Sequence, residues 1–512
     1  VLMRTAFSPI VRESGDLSVG IFDPQGRMLT QAVTGTPGHV NTMASACEKF
    51  FEAFPIESMR PEDIYLTNDP WAGAGHLNDF VLLKPCFRGS SLVALISCTS
   101  HLVDIGGRCL GPDGNDVYDE GLYVPHIKLV DQGTINETLM ALVKSNSRSA
   151  TQAEGDLFAL ITCCEHGDNR LQQMMADFDT DSISSLASHI VESSESAVRQ
   201  RISKLENSIS EYAMTVDGFE KPITIKARLT IQQENLWLDF YASAEPSTSG
   251  INVPLNYTVA YSVFGLKCAI APDVPNNHGS LVPFKVTAAE GSILNARKPA
   301  PVCSRHILGQ LLPDVSLGCL SQVLEQIIPA EGAATLWDLP IQGRVGSTGE
   351  TFTQELVFNG GTGARPHRDG LSATAFPSGV MGSLVEVTEN TTPLLICKRE
   401  LRPNSGGAGK FRGGLGQIIE VQAMEDTELT VYGTVDRVRF PARGKAGGEP
   451  GATGRFIHSS GIDFSGKGSC VLKPGETLTV LTPGGGGYGS KTERSSSRRR
   501  ADFLNQLVTI EE

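Results

Sequence analysis

The chain has 512 residues, a formal net charge of -14 and 40% hydrophobic residues, values that suit a globular protein of two to four domains or subdomains. The acidic balance argues against nucleic acid as a main partner, because phosphate binding needs clustered Lys and Arg. No apolar run reaches the ~18 residues that a membrane-spanning helix requires, so we expect no membrane partner.

The N-terminal part of the chain, residues 1–135, predicts an α/β region. Its first residues have no signal-peptide core and read as the end of a helix, so we expect that the native start is missing. Residues 17–33 predict a β-hairpin with a turn at Asp23-Pro24-Gln25-Gly26. Apolar residues at helical spacing predict a helix over 39–54. Three further strands are predicted at 63–67, 80–86 and 92–97.

Beyond residue 135 the pattern changes three times. Helical periodicity dominates 136–222, and two-residue alternation followed by helices characterises 223–333. Residues 334–489 are dense in glycine and predict a β-rich region, and the basic, serine-rich stretch 490–512 predicts a solvated tail. We therefore expect an α+β fold with an N-terminal α/β metal-site region, a central helical region and a Gly-rich, β-rich C-terminal region.

The number and spacing of the cysteines indicate the cellular compartment of the protein. The 11 cysteines are scattered along the chain and include no Cys-x-x-Cys pair. This pattern is typical of reduced thiols in a cytoplasmic protein, whereas a disulfide framework would need regular spacings.

Two His-x-x-Asp tetrads are the most informative motif of the chain. They are His76-Leu77-Asn78-Asp79 and His101-Leu102-Val103-Asp104. Both lie at the ends of predicted strands, where loops place functional groups on a rigid base. Imidazole and carboxylate together suit a borderline divalent cation such as Zn, Mn or Fe, and two facing pairs would supply up to four ligands. Hydrogen-bonded turn residues are the alternative interpretation.

Three more residues are candidates for the same chemistry. His39 follows Thr36-Pro37-Gly38 at a predicted helix start, where a packed or capping role is the equally weighted alternative. Asp16 stands just before the hairpin. Glu120 ends an acidic loop that is otherwise expected to be solvated. We expect Asp16 or Glu120 to transfer a proton.

Nucleotide chemistry is not predicted within the chain. The sequence has no Walker A motif, no GxGxxG between a strand and a helix, and no Gly-x-Ser-x-Gly elbow. The run from Gly406 to Gly414 is similar to a phosphate loop, but Lys410 is followed by Phe411 instead of Ser or Thr. A structural cluster of turns is the favoured interpretation.

Taken together, these segments resemble the B (β) component of ATP-dependent hydantoinases. This family is fused in other members to 5-oxoprolinases and includes large subunits of acetone and acetophenone carboxylases. The matching stretches keep their order along the chain: Pro37-Gly-His39, Asn68-Asp-Pro-Trp71, the two tetrads, Gly155-Asp-Leu157, Asn252-Val-Pro254, Gly360-Gly-Thr-Gly363, the run 399–414 and Pro483–Gly489. Two departures stand out: Leu102 replaces a usual second histidine, and Ser14-Gly15 replace a frequent Arg-Arg.

The resemblance implies a division of labour in a hetero-oligomer. A hydantoinase A-type partner with the actin-like ATPase fold would use Mg-ATP to phosphorylate the carbonyl or enol oxygen of a small-molecule substrate. This chain would then act on the activated species at a divalent metal. We expect His76, Asp79 and His101 as ligands, with Asp104 as a fourth ligand or as a carboxylate that orients an imidazole. The expected catalytic residues are Glu120, Asp16 and Asp104.

Three functions remain open at this point. The leading hypothesis is metal-dependent hydrolysis of a cyclic amide such as a hydantoin or an oxoproline-like lactam, where a bound cation lowers the pKa of water from 15.7 to roughly 7. The alternatives are a subunit of an ATP-dependent ketone carboxylase and a structural subunit without chemistry. The glycine-dense region 360–416 is expected to face the partner, with tight turns inside a β-domain as the alternative.

Overall fold

The computed structural model describes residues 1–33, 35–108, 111–464 and 466–510. The α-helices are α1 Leu2–Thr5, α2 Pro9–Arg12, α3 Pro37–Ala53, α4 Glu137–Asn146, α5 Ala150–Asp177, α6 Ser184–Ile202, α7 Leu255–Ile270, α8 His278–Leu281, α9 His306–Gly309, α10 Leu312–Leu320, α11 Val385–Thr391 and α12 Ser496–Leu504. The strands are β1 Leu17–Phe22, β2 Met28–Gln31, β3 Ile64–Thr67, β4 Asp79–Arg88, β5 Ser91–His101, β6 Ile127–Asp131, β7 Thr134–Ile135, β8 Ser208–Val216, β9 Ile223–Gln232, β10 Asn235–Phe240, β11 Phe284–Ala288, β12 Trp337–Val345, β13 Thr351–Phe358, β14 Leu394–Leu401, β15 Gln417–Ala423, β16 Thr427–Thr434, β17 Arg455–His458, β18 Asp463–Phe464, β19 Lys467–Leu472 and β20 Thr477–Leu481. Two short 3₁₀ helices lie at Ile56–Ser58 and Lys491–Glu493.

The chain divides into two compact units. Unit 1 comprises Val1–Cys109, Gly114–Ser210 and Arg228–Arg305, and unit 2 comprises Leu110–Asp113, Glu211–Ala227 and His306–Glu512. Sheets and helices occur in both, so the predicted α+β class is confirmed. The five regions predicted from the sequence stay a prediction. Within the described residues, no helix combines the length and apolar character needed to cross a membrane.

Unit 1 is built on a seven-stranded sheet with the order β2-β1-β5-β4-β3-β6-β7. The predicted hairpin is confirmed as the antiparallel pair β1–β2. The predicted helix is confirmed as α3, which starts with Pro37, a position where the missing N–H costs nothing. Apolar residues of α3, including Met43 and Phe50, pack on Phe22 and Leu83 of the sheet. This core holds the β4–β5 pair rigidly, and both tetrads adjoin that pair.

The central part of the chain is helical, as predicted, with α4, α5 and α6 in succession. The Gly155-Asp156 pair lies within α5. The ring of Phe7 lies so close to Gly155 that an added Cβ would be 2.3 Å from its Cγ. Asp156 Oδ1 accepts hydrogen bonds from the amides of Phe7 and Ser8, at 2.7 and 3.1 Å. These two residues therefore tie the N-terminal segment to α5. The next sheet, β11-β10-β9-β8, follows α6.

Unit 2 contains two antiparallel sheets, β13-β12-β16-β19 and β14-β15-β20-β17-β18. Residues of both, such as Trp337, Val431, Ile419 and Phe456, share one hydrophobic cluster. The predicted β-rich region is therefore present.

The glycine-dense segments pack against one another inside unit 2. A Cβ on Gly361 would lie 1.9 Å from the carbonyl oxygen of Gly414, and one on Gly484 would lie 1.8 Å from that of Ser405. The close backbone approach that glycine permits is thus made by the chain to itself. This packing supports the alternative of tight turns within a β-domain over a partner-facing surface.

Most residues of the C-terminal basic stretch 490–510 are exposed, as in a solvated tail, but the stretch also contains a helix and buried side chains. Ser496–Leu504 is helical, and Arg494 is buried. Its guanidinium binds Asp369 and Asp502, at 2.8 and 2.7 Å. Two carboxylates compensate this buried cation, which is why a charged residue can leave water here.

Candidate metal centre

His76, Asp79 and His101 form a buried cluster at one end of the β4–β5 pair. Oδ1 of Asp79 lies 2.8 Å from Nε2 of His76 and 3.3 Å from Nδ1 of His101. Within the described part of the chain, this is the single group of three His, Cys, Asp or Glu whose ligand atoms all lie within 4.8 Å of one another. Ligands at about 2.0–2.2 Å from one cation are spaced in this way.

Strand register brings the two tetrads face to face. Asp79, the first residue of β4, is directly opposite His101, the last residue of β5. Just outside the strands, Asn78 Nδ2 donates to the carbonyl oxygen of Leu102, and the Leu102 amide donates to that of Asn78, both at 2.8 Å. Asn68 Nδ2 donates to the Leu77 carbonyl at 2.7 Å. These bonds lock the loop that carries His76 against the loop that follows His101.

The side chain of His76 has the properties of a ligand. Its Nδ1 lies 3.0 Å from the carbonyl oxygen of Cys303 and 3.1 Å from Arg305 Nη1, and its Nε2 lies 2.8 Å from Asp79 Oδ1. Burial and the neighbouring Arg305 lower the pKa of His76 to about 3, so the imidazole is neutral and keeps a lone pair on one ring nitrogen. The two-histidine, one-carboxylate set therefore fits a divalent cation.

Asp79 is held by its second oxygen. Oδ2 lies 2.6 Å from Arg305 Nη2 and 2.9 Å from His39 Nε2. Burial opposes ionisation, but the positive charges of His39 and Arg305 outweigh it and hold the pKa of Asp79 well below its usual range. The carboxylate is thus ionised, with Oδ2 anchored and Oδ1 turned to His76 and His101.

Arg305 is the site residue that sequence reasoning missed. Its Nε donates to the Ala74 carbonyl at 3.1 Å, and its guanidinium lies 4.4 Å from the ring centre of Tyr257. Gly75 has φ +93°, and a Cβ there would lie 3.2 Å from Arg305 Nε, so the glycine makes room for the guanidinium. The sequence did contain one signal for Arg305. It is the single Lys or Arg between Pro299 and Leu320, in an otherwise largely apolar stretch.

His39 and Asp16 lie behind the cluster. His39 Nδ1 is 3.5 Å from Asp16 Oδ1, while Nε2 contacts Asp79. Asp16 Oδ1 also accepts a hydrogen bond from Thr36 Oγ1 at 3.0 Å. Burial lowers the pKa of His39, but the carboxylates of Asp79 and Asp16 outweigh that effect and raise it. His39 therefore bridges two carboxylates, which favours the site role over the capping role.

Asp104 lies outside the three-residue cluster. Its Oδ1 accepts hydrogen bonds from the Gly106 amide at 3.0 Å and from Arg148 Nη1 at 2.6 Å. Its Oδ2 accepts from the Arg148 amide. Because both oxygens are committed to Arg148 and to backbone, this geometry favours a structural role in the turn over a place as fourth ligand.

Glu120 is connected to the cluster through the peptide segment that contains Val302 and Cys303. The side chain is buried, and Oε1 accepts hydrogen bonds from the amides of Val302 and Cys303 at 2.6 and 2.7 Å. Burial raises the pKa of Glu120 to about 8, so the carboxyl is protonated at neutral pH. Since the Cys303 carbonyl faces His76, Glu120 fixes the segment that orients this imidazole. Asp116 and Asp119, in the same loop, bind groups of the loop itself.

Comparison with known proteins identifies the family of the chain. Residues 1–491 match the family model described as Hydantoinase B/oxoprolinase. The chain belongs to this family. The resemblance stated from the sequence motifs is thus confirmed.

One relative and two solved structures illustrate the likeness of this hydantoinase B/oxoprolinase family member to known proteins. The putative B component of a D-/L-hydantoinase from Pseudomonas sp. (strain NS671) is 27% identical over 547 residues, which cover 100% of this chain and 90% of that protein. The crystal structure of ATP-dependent caprolactamase from Pseudomonas jessenii matches with a TM-score of 0.91 and 26% identity, over 100% of this chain and 91% of that chain. A nucleotide-free acetone carboxylase structure matches with a TM-score of 0.85 over 99% of this chain and 75% of that one. At 20% identity, the last comparison concerns the fold alone.

One departure from the usual family motif lies beside the cluster. Leu102, which stands where the family usually has a second histidine, is buried, and its backbone makes both bonds to Asn78. An apolar side chain at this position supplies no ligand. In this family member, the compact donor set is therefore His76, Asp79 and His101.

Proposed function

We propose that this chain is the metal-dependent subunit of an ATP-dependent enzyme that hydrolyses a cyclic amide, such as a hydantoin or a lactam. The observation that carries the proposal is the buried cluster of His76, Asp79 and His101, whose ligand atoms all lie within 4.8 Å of one another. The substrate class is supported by the hydantoinase and caprolactamase named among the relatives.

The proposal includes a hetero-oligomer with an A-type, actin-fold ATPase subunit that uses Mg-ATP. A partner is supported by the hydantoinase relative, which is itself named as one subunit of its enzyme. A cytoplasmic location is part of the proposal as well. It is supported by the ten cysteines of the described residues, none of which forms a disulfide within those residues.

The cation, proposed as Zn, Mn or Fe, would be held by His76, Asp79 and His101. When bound, it supplies a Lewis acid that polarises oxygen and makes water more acidic. The donor set fits this role because His76 is neutral, Asp79 is ionised and both are buried. An ionised carboxylate and a neutral imidazole are the forms in which these side chains ligate.

The surrounding residues are assigned positioning roles. Arg305 and His39 hold Asp79 Oδ2, so that Oδ1 alone faces the two imidazoles. The Cys303 carbonyl and Arg305 orient the imidazole of His76, and Glu120 holds the segment that carries this carbonyl. Asp16 acts through His39. Contacts of this kind typically change metal affinity or activity by about 10–100-fold.

Phosphorylation explains why such an enzyme would need ATP. The carbonyl carbon of an unstrained lactam is a poor electrophile. Transfer of a phosphoryl group to its oxygen gives an imidate-like carbon with a good leaving group. Water then adds to that carbon, and the ring C–N bond of the adduct breaks as a proton passes to the nitrogen, which leaves an acyl phosphate. A second water attacks the acyl phosphate, so that phosphate departs and a free carboxylate remains. Buried groups that fix the site before reaction lower the barrier by preorganisation.

The experiment is reconstitution of the complex. The chain is co-purified with an A-type ATPase subunit and incubated with ATP and hydantoin, 5-oxoproline or caprolactam, while ring opening and ADP are measured. We expect ring opening that needs both subunits and falls at least about 100-fold in His76→Ala. The exposed control His189→Ala keeps activity.

Two outcomes would contradict the proposal. Turnover by the isolated chain with ATP would remove the need for a partner. Incorporation of labelled bicarbonate into an acid-stable product from a ketone, without ring opening of any amide, would replace hydrolysis by carboxylation.

A further inference from the structure

Unit 2 contains a cavity that the proposed function does not use. Its volume is about 380 Å³, within the range of small-molecule sites. The run that is similar to a phosphate loop forms part of its wall. The main lining groups are the loop Gly406–Gly409, Arg412, Glu449, Lys491, Arg499 and Asp502.

Arg412 lines this cavity, and its neighbours compensate the positive charge of its guanidinium only in part. The residue is 7% exposed, and Nη1 donates to the Gly413 carbonyl at 2.6 Å. Nε makes no hydrogen bond and lies 3.6 Å from Asp502 Oδ1. Asp502 is already bound by Arg494 through its other oxygen, at 2.7 Å. Burial lowers the pKa of Arg412, which agrees with a positive charge that these neighbours satisfy only in part.

Arg499, on α12, supplies a second cation. It lines the same cavity and is half-buried, and its side chain makes no hydrogen bond or ion pair within the described residues. The remaining lining charges largely cancel, because Lys491 Nζ lies 2.8 Å from Glu449 Oε1. The cavity thus carries a net positive charge that comes from Arg412 and Arg499.

The loop adds backbone donors. In the described part of the chain, the amides of Gly406, Ala408 and Gly409 donate no hydrogen bond. Glycine is required in this loop, because a Cβ on Gly406 would lie 2.1 Å from the Gly413 carbonyl oxygen. Free amides in a glycine-rich loop form anion-binding concavities. The cavity is thus lined by two guanidinium groups and by a loop with three amides that donate no hydrogen bond in the described part of the chain.

We propose that this cavity binds the phosphate group of a small molecule. A phosphate group presents three terminal oxygens to the two guanidinium groups and the loop amides, whereas a carboxylate presents two. The proposal concerns binding without phosphoryl transfer. Lys410, which a nucleotide-hydrolysing loop would direct to a phosphate, instead pairs with Glu493 at 3.1 Å.

The test is calorimetric titration of the full chain with inorganic phosphate, phenyl phosphate and, as the matched carboxylate, benzoate. We expect phenyl phosphate to bind and benzoate to bind at least about tenfold more weakly. Arg499→Gln should weaken phenyl phosphate binding by about 10-fold or more, as expected for one charge-assisted contact. Arg412→Gln should do the same.

Two matched variants make the test specific. Arg498→Gln changes the neighbouring arginine, whose guanidinium lies over the Phe411 ring at 5.0 Å, and should keep the affinity of the unmodified chain. His76→Ala should keep it as well, which separates this site from the metal cluster. Because Arg499 is only half-buried, its variant should fold even if the buried Arg412 variant does not, and circular dichroism checks this.

Three results would overturn the proposal. The first is the absence of binding by either phosphate probe up to ~10 mM. The second is unchanged affinity in Arg499→Gln. The third is benzoate binding as tight as phenyl phosphate, which would replace phosphate by carboxylate as the recognised group.

Discussion

Arg305 Nη2 and Asp79 Oδ2 are 2.6 Å apart and buried, although 226 positions separate the two residues in the sequence. The ion pair leaves Asp79 Oδ1 directed at His76 and His101. Breaking a buried pair by removing one partner strands an uncompensated charge. The same contact therefore supports both the fold of unit 1 and the geometry of the candidate metal centre.

Arg305→Met tests this dual role. We expect the free energy of unfolding to fall by roughly 3–5 kcal/mol, because Asp79 loses one of its buried counter-charges. Metal affinity should fall by at least about tenfold. Chemical denaturation and metal titration measure the two effects. Arg88→Met is the control, since Arg88 pairs with an exposed Asp181 and should cost less than about 1 kcal/mol.

Asp104→Ala separates a ligand from a structural carboxylate. Because both Asp104 oxygens bind Arg148 and backbone amides, we expect metal content to be retained. Stability should fall by about 1–3 kcal/mol through the amides left unpaired. Asp131→Ala, which removes an exposed partner of Lys128, serves as control. Loss of the metal together with an unchanged fold would show that Asp104 is a ligand after all.

Glu120→Gln tests the buried carboxyl through pH. Burial raises the pKa of Glu120 to about 8, so between pH 5 and 8 the folded chain keeps a proton that the unfolded chain has lost. Its contribution to stability is full below pH 4.5 and declines as the pH rises towards 8. Over this window, the native chain should lose up to about 1.4 kcal/mol per pH unit relative to the variant.

Thermal or chemical unfolding at several pH values measures this slope. The glutamine side chain keeps an oxygen that can accept from the Val302 and Cys303 amides, so metal content should be unchanged. Glu57→Gln, at an exposed position, should leave the pH slope as it is. Parallel stability curves for the native chain and Glu120→Gln would contradict a protonated, buried Glu120.

The sequence predicted those parts of the site that depend on local pattern. Alternation and turn residues located the strands that end at Asp79 and His101, and the repeated tetrad identified the cluster. The tetrad also suggested Asp104 as a ligand. Asp104 matches the motif, but in the structure it binds Arg148, which lies 44 positions away in the sequence. Spacing cannot distinguish a free carboxylate from one that is satisfied by a distant arginine.

Arg305 shows the converse limit of motif reasoning, because it belongs to the site although no motif contains it. It comes to Asp79 from a distant part of the chain, and no short motif records that contact. The glycine-dense segments were equally open to two interpretations, because glycine permits close approach without indicating which backbone approaches. The packing of Gly361 on Gly414 is determined by the tertiary structure and cannot be derived from the local sequence.

Metal content of the purified chain tests the central claim most directly. Inductively coupled plasma mass spectrometry should find about one divalent cation per native chain. His76→Ala and His101→Ala should each lose it by at least about tenfold, while the exposed His189→Ala retains it and circular dichroism confirms that all variants are folded. Full metal content in both His76→Ala and His101→Ala would contradict the metal centre described here.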